Sequence, residues 1–171
     1  MTTIAFLGIG LMGGPMAARL AQAGFAVRAW NRTFAKAEAL GAGGVEPVAE
    51  LARAVQGAEV IISMLESGPV VGEVIAAALP ALAPATLWID MSSTRQDEAL
   101  AFHAALAAHG CRFMDAPVSG GVGGAEAGHW RSWPAAMPGM STGRSTSCPR
   151  WAGRSASVRS AADRWPSCAT N

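Results

Sequence analysis

Three glycines near the start of the chain, Gly8, Gly10 and Gly13, stand at the spacing G-x-G-x-x-G between the apolar residues 4–7 and the stretch 15–20. Such a turn does its chemistry with backbone. The first glycine permits a sharp exit from a strand, the second lets a pyrophosphate approach the main chain, and the third lets the following helix pack against the strand. That helix then aims its free N–H groups and the positive end of its dipole at phosphates. In a chain with 20 glycines the spacing alone is weak; its place between a strand-like and a helix-like segment makes it read as a dinucleotide grip.

Two further groups of residues bear on what is bound. Asn31, Arg32 and Thr33 follow the second apolar run. An acidic residue there would hold the adenosine ribose hydroxyls, whereas an arginine suits a 2′-phosphate, so NADP is favoured with NAD as the alternative. A solvated turn that merely contains an arginine reads the same way. Lys36 either adds a second cation or faces water. Farther on, Ser119 supplies a hydroxyl, and Gly120 and Gly121 let successive N–H groups converge on an anion, as a backbone nest does for a carboxylate. The alternative there is a glycine turn that closes a strand.

Other candidates for chemistry are weaker. His109, just before Gly110, reads as a partner for a helix C-terminus rather than an acid or base, and His103 lies in the same helical stretch. Asp90 and Asp115 each end a strand, but no spacing pairs them for acid–base work. Cys111, Cys148 and Cys168 are too few and too scattered for a disulfide framework or a zinc site, and no metal is expected.

The elements that must position these residues are legible as an alternation of short apolar runs with Ala- and Leu-rich stretches over residues 1–128. Strands are expected at 3–7, 26–30, 44–45, 60–64, 87–90 and 112–115. Helices are expected at 14–23, 34–40, 47–55, 70–78 and 95–108. Thr33 suits an N-cap, Pro47 a first helical turn, and Gly24 and Gly110 the position past a helix end. Thr94 suits a cap as well. Opened by the glycine turn, this rhythm predicts an α/β domain of Rossmann type, a doubly wound parallel sheet.

Composition narrows the partners. With a formal charge of +1 and a single lysine, Lys36, the chain has no electrostatic footprint for nucleic acid. The apolar N-terminus lacks a basic n-region and is interrupted by glycines and Pro15, unlike a signal peptide, and no stretch is long and apolar enough to span a bilayer. The cytoplasm is the expected compartment.

Residues 8–17, GIGLMGGPMA, and the triplet Asn31-Arg32-Thr33 resemble the β-hydroxyacid dehydrogenase family, which includes 3-hydroxyisobutyrate dehydrogenases and 2-hydroxy-3-oxopropionate reductases. So do Ser63-Met64-Leu65, Asp90-Met91-Ser92-Ser93-Thr94 and the run DAPVSGGVGGAEAG over 115–128. The resemblance implies cofactor contacts at Gly8, Ile9, Gly10, Leu11, Met12, Gly13, Asn31, Arg32, Thr33, Met64, Leu65 and Thr94. It implies a small hydroxy or oxo acid held by Ser119, Gly120 and Gly121, and a homo-oligomer. It also implies a catalytic lysine at the start of an all-helical second domain. Lys36 lies in the cofactor region and does not match that position, so no catalytic residue carries over, and the second domain is expected to be missing.

After residue 128 the composition changes. Residues 129–171 hold Trp130, Trp133, Trp151 and Trp165, four of the six tryptophans, among Arg, Ser and Pro, with no strand or helix period. The arginines and tryptophans do not interleave as a nucleic-acid tail would. The expectation is an out-of-frame, poorly ordered tail. Reading the third base of each codon with the first two of the next forces Leu at the His129–Trp130 junction and Ala at the Trp133–Pro134 junction, in keeping with a strand that the family carries there.

Overall fold

The computed structural model describes residues 1–119, 121–127 and 131–132 of the chain. Six parallel strands form one sheet: β1 (Thr3–Leu7), β2 (Ala26–Trp30), β3 (Glu46–Val48), β4 (Val60–Ser63), β5 (Leu87–Asp90) and β6 (Arg112–Asp115). Their spatial order is β3-β2-β1-β4-β5-β6. Five helices connect them: α1 (Gly13–Gln22), α2 (Phe34–Glu38), α3 (Leu51–Val55), α4 (Gly68–Ala78) and α5 (Gln96–Ala108). Strand order reverses between β1 and β4, which opens a crevice at the carboxyl ends of those strands, the usual place for a ligand in such sheets.

The sheet is buried on both faces. Along β1, Ile4 and Phe6 join a cluster with Met16, Leu20, Val27, Ile62 and Ile89. Ala5 and Leu7 point the other way, to a cluster with Val55, Ile61, Ile75, Trp88, Leu106 and Phe113. α1 covers the first face, and α3, α4 and α5 cover the second, so the near-continuous apolar runs of β1 and β4 follow from burial on both sides. Register aligns the carboxyl ends. Trp30, Leu7, Ser63, Asp90 and Asp115, the last residues of five strands, stand opposite one another in a single row.

Several expectations need correction. Pro47 does not start a helix: it lies in β3 opposite Ala29, and the helix begins at Leu51. β3 is an edge strand, where a residue without an N–H is tolerated. The expected strand at 44–45 is thus displaced to 46–48, after Gly44 reverses the chain with φ +82°. Thr33 occupies the N-cap position of α2 but makes no capping hydrogen bond with its side chain, and α2 ends at Glu38. Thr94 does not cap α5. Arg95 does, and its N–H donates to Glu98 Oε2 at 2.9 Å. Gly24 and Gly110 do follow the ends of α1 and α5 with positive φ, and His109 Nδ1 lies 3.2 Å from the Ala105 carbonyl, as expected of a helix C-terminus.

Beyond β6 a second, two-stranded sheet pairs β7 (Val118–Ser119) with β8 (Arg131–Ser132) in antiparallel fashion around α6 (Gly121–Ala127). A strand therefore exists where the sequence past residue 128 showed no period. Ala125 is fully buried and joins the α1 face.

Candidate nucleotide site

The three glycines have three different reasons to be glycine. Gly8 leaves β1 with φ +101°, and a Cβ there would overlap the Met64 carbonyl oxygen and lie 2.9 Å from Leu65 Cδ2. At Gly13 a Cβ would overlap the Gly8 carbonyl oxygen and lie 3.1 Å from the Phe6 ring, so the start of α1 sits directly on the turn. Gly10 has open space: a Cβ would meet nothing within 4 Å. The first and third glycines are demanded by the protein itself, and the second is not.

Hydrogen bonds fix the shape of the turn. Gly8 N donates to the Trp30 carbonyl at 2.9 Å, and Ile9 N donates to Asn31 Oδ1 at 3.0 Å. Asn31 Nδ2 in turn donates to the Thr33 carbonyl at 3.0 Å. Both polar ends of Asn31 are therefore engaged in locking the end of β2 to the glycine turn. Gly14 N and Met16 N donate to the carbonyls of Gly10 and Met12. The N–H groups of Leu11 and Met12, at the mouth of the ten-residue α1, take part in no hydrogen bond found among the described residues. Leu11 is 80% exposed, whereas Ile9 is buried. Arg32, Thr33 and Lys36 are exposed at the β2 end of the same edge.

The turn after β4 borders the glycines. Met64 N donates to the Leu7 carbonyl at 2.9 Å, and Leu65 N donates to Ser92 Oγ at 2.9 Å. Ser92 Oγ donates to Asp90 Oδ1 at 2.7 Å, as does Ser63 Oγ, which itself accepts from Trp88 Nε1 at 2.9 Å. Thr94 lies two residues past Ser92, half-buried, its Oγ1 buried without a partner. Asp90 is fully buried; burial raises its carboxyl above the ordinary value, while the hydrogen bonds from Ser63 and Ser92 pull it back down.

Asp115 stands opposite Asp90 across β5 and β6. The pairing that sequence spacing did not provide is made by strand register. Burial first, and then the charge of Asp90, pushes the Asp115 carboxyl up to about 6. No linear motif announces such a pair, because it depends on how two strands far apart in the chain align. Of the expected acid-binding residues, Gly121 opens α6 with φ +60°, while Gly120 and the side chain of Ser119 lie outside the described residues. Among the described residues no group of three or more His, Cys, Asp or Glu is placed to hold a metal, and no helix is long and apolar enough to cross a membrane.

A switch-point crevice closed on one side by a glycine turn and a helix N-terminus defines a dinucleotide-binding domain of Rossmann type. Residues 3–142 match the NAD binding domain of 6-phosphogluconate dehydrogenase, and the chain belongs to that family. It is 42% identical over 131 residues to 3-hydroxyisobutyrate dehydrogenase of Pseudomonas aeruginosa, covering 75% of this chain and 44% of that protein. An NAD-dependent L-serine dehydrogenase of the same bacterium is 38% identical over 131 residues, with the same coverage. The solved structure of Mycobacterium tuberculosis 3-hydroxyisobutyrate dehydrogenase with L-serine superposes with a TM-score of 0.77 at 42% identity, over 80% of this chain and 47% of that one. The chain spans less than half the length of the curated relatives it matches. Those relatives are dehydrogenases by name, and the similarity lies in the N-terminal part of this chain.

Proposed function

We propose that residues 1–128 are the nucleotide-binding half of an NADP(H)-preferring hydroxyacid dehydrogenase, acting between a small 3-hydroxy acid and its oxo acid or semialdehyde. The observation that carries this reading is the contrast within the glycine turn: Gly8 and Gly13 are closed by protein, and Gly10 faces open space beside the uncommitted N–H groups of Leu11 and Met12. A phosphate fits that cradle by charge and by donor direction. The residues present therefore suit a dinucleotide, which supplies hydride-transfer chemistry when bound. Gly8, Gly10, Leu11, Met12 and Gly13 would hold the pyrophosphate, and Ile9 and Asn31 would keep the turn in shape. Met64, Leu65 and Thr94 would border the nicotinamide end, and Ser119, Gly120 and Gly121 would receive the acid.

The preference for NADP rests on the β2 end, where no acidic residue occurs and Arg32 and Lys36 are exposed. An exposed guanidinium can pair in bidentate fashion with a 2′-phosphate. The NAD-dependent relative makes a direct comparison the deciding experiment. Fluorescence titration is expected to show NADPH binding about tenfold tighter than NADH, with Arg32→Ala removing the difference. Equal affinities, or tighter NADH binding, would overturn the preference.

A second reading concerns turnover. The one lysine, Lys36, lies on α2 beside the β2–β3 edge, away from the ends of β5 and β6. Together with the change of composition after residue 128, this favours a chain that binds nucleotide and catalyses nothing, its last 43 residues (129–171) read out of frame. Assays with 3-hydroxyisobutyrate and tartronate semialdehyde are expected to give no turnover above a heat-killed control. Sequencing the DNA around the Gly128 codon tests the frame, and an intact reading frame identical to this one would sink that idea.

A further inference from the structure

Two buried carboxylate oxygens on the cofactor edge have no hydrogen-bond partner: Asp90 Oδ2 and Asp115 Oδ1. The residues that carry them are register partners on adjacent parallel strands, so their side chains leave the same face of the sheet from backbones about 4.8 Å apart. Neighbouring carboxylates whose facing oxygens are buried resist carrying two charges at once; one proton retained between them gives each orphaned oxygen a partner. Donors decide where that proton sits. Asp90 Oδ1 accepts from Ser63 Oγ, Ser92 Oγ and Ser92 N, the last at 3.3 Å, all of which favour its charged form. Asp115 receives no such donor to the oxygen in question.

We propose that Asp90 is a positioning residue for the cofactor edge: its Oδ1 gathers Ser63 and Ser92 and so fixes the Leu65 N–H, while its Oδ2 accepts a hydrogen bond from a proton carried by Asp115. The groups that face Asp90 are Ser63 from β4, Ser92 from the loop after β5, and Asp115 from β6. Among the described residues the charge that acts on Asp115 is that of Asp90. The pair titrates as a unit, and the upward displacement of Asp115 agrees with its holding the shared proton. Losing the proton places a second charge beside Asp90 and loosens the link to Leu65. The turn at Met64–Leu65 packs against Gly8, so the consequence reaches the nucleotide site.

The part of this inference that concerns nucleotide binding rests on the proposed function; the carboxyl pair and the anchoring of Leu65 do not. Three readouts on the full chain separate them. Carboxyl ¹³C NMR is expected to show one aspartate titrating near pH 6, a signal that disappears in Asp115→Asn. Amide exchange is expected to quicken about tenfold or more at Leu65 in Asp90→Ala, which removes the acceptor for Ser63 and Ser92, while Ile9, held by Asn31, changes less than about twofold. Asp115→Asn, whose amide still donates to Asp90 Oδ2, is expected to leave Leu65 protected and to make that protection independent of pH between 5 and 7. Asp115 titrating in the ordinary carboxylate range would overturn the shared proton. Unchanged Leu65 exchange in Asp90→Ala would overturn the positioning role. NADPH affinity is expected to fall about tenfold in Asp90→Ala and to stay within about twofold in Asp115→Asn. Failure of the unaltered chain to bind either nucleotide would count against the proposed function, with the carboxyl and exchange readouts still deciding the pair.

Discussion

The grip at the end of β1 and the carboxylate row at the ends of β5 and β6 share one edge of one sheet but are made of opposite materials. The grip is backbone: glycines, N–H groups and the start of a helix, with Asn31 as a side-chain brace. The row is side chain: Ser63, Ser92, Asp90 and Asp115, with Trp88 donating from below. A backbone site tolerates no added atoms where chain meets chain. A side-chain site tolerates changes of shape but depends on where one proton lies. The two regions should therefore fail in different ways.

The largest effect is expected at Gly13. A methyl group there overlaps the Gly8 carbonyl, with the Phe6 ring behind it, and backbone on both sides cannot yield as a flexible side chain would. Gly13→Ala is expected to cost about 3 kcal/mol or more of unfolding free energy, read as a fall in the urea midpoint. Gly10→Ala is its control. Its methyl meets nothing within 4 Å, so stability should change by less than about 0.5 kcal/mol while nucleotide affinity drops. If the two variants are equally stable, the packing account of the turn is wrong.

The carboxylate row predicts a smaller effect of another kind, a slope with pH. Folded Asp115 keeps its proton to about pH 6, against an ordinary value of 3.8 in the unfolded chain. Between these values the folded state binds more protons, so stability is fully present below about pH 4 and is lost as pH rises toward 6. Asp90, also raised by burial, adds with the same sign. Because Asp115 is only half-buried, solvent screening keeps the slope modest. Urea midpoints measured from pH 4 to 7 should decline, and Asp115→Asn should flatten the decline. A rise over that range would reverse the assignment.

The same contrast explains what could be read from the sequence. Glycine spacing is local, so the turn and the helix behind it were legible residue by residue, and alternating apolar runs located five of the six main strands. Roles set by alignment of distant strands were not. Asp90 and Asp115 lie 25 positions apart, and only the β5–β6 register makes them neighbours. Asn31 was legible as a residue of the cofactor edge but not as the brace of Ile9, because that bond crosses from β2 to the turn after β1. Pro47 misled for a related reason: its local preference for a first helical turn yielded to pairing with β2 at the sheet edge.

Thr94 offers the smallest expected effect on stability and the sharpest separation of folding from binding. It sits at the boundary between the two kinds of site, just past Ser92, with a buried hydroxyl that has no partner and no capping role in α5. A buried hydroxyl without a partner contributes nothing to the fold, so replacing it with a methyl of nearly the same shape is neutral or mildly favourable. Thr94→Val is therefore expected to change the unfolding free energy by less than about 1 kcal/mol, in either direction. A hydroxyl kept for a ligand behaves otherwise, and its loss should weaken NADPH binding several-fold with the fold intact. Calorimetric titration beside a urea curve reads both quantities on one preparation. Weakened binding with stability unchanged would set Thr94 with the nucleotide grip. Lost stability with affinity unchanged would instead set it with Ser63 and Ser92, as part of the network beneath the edge.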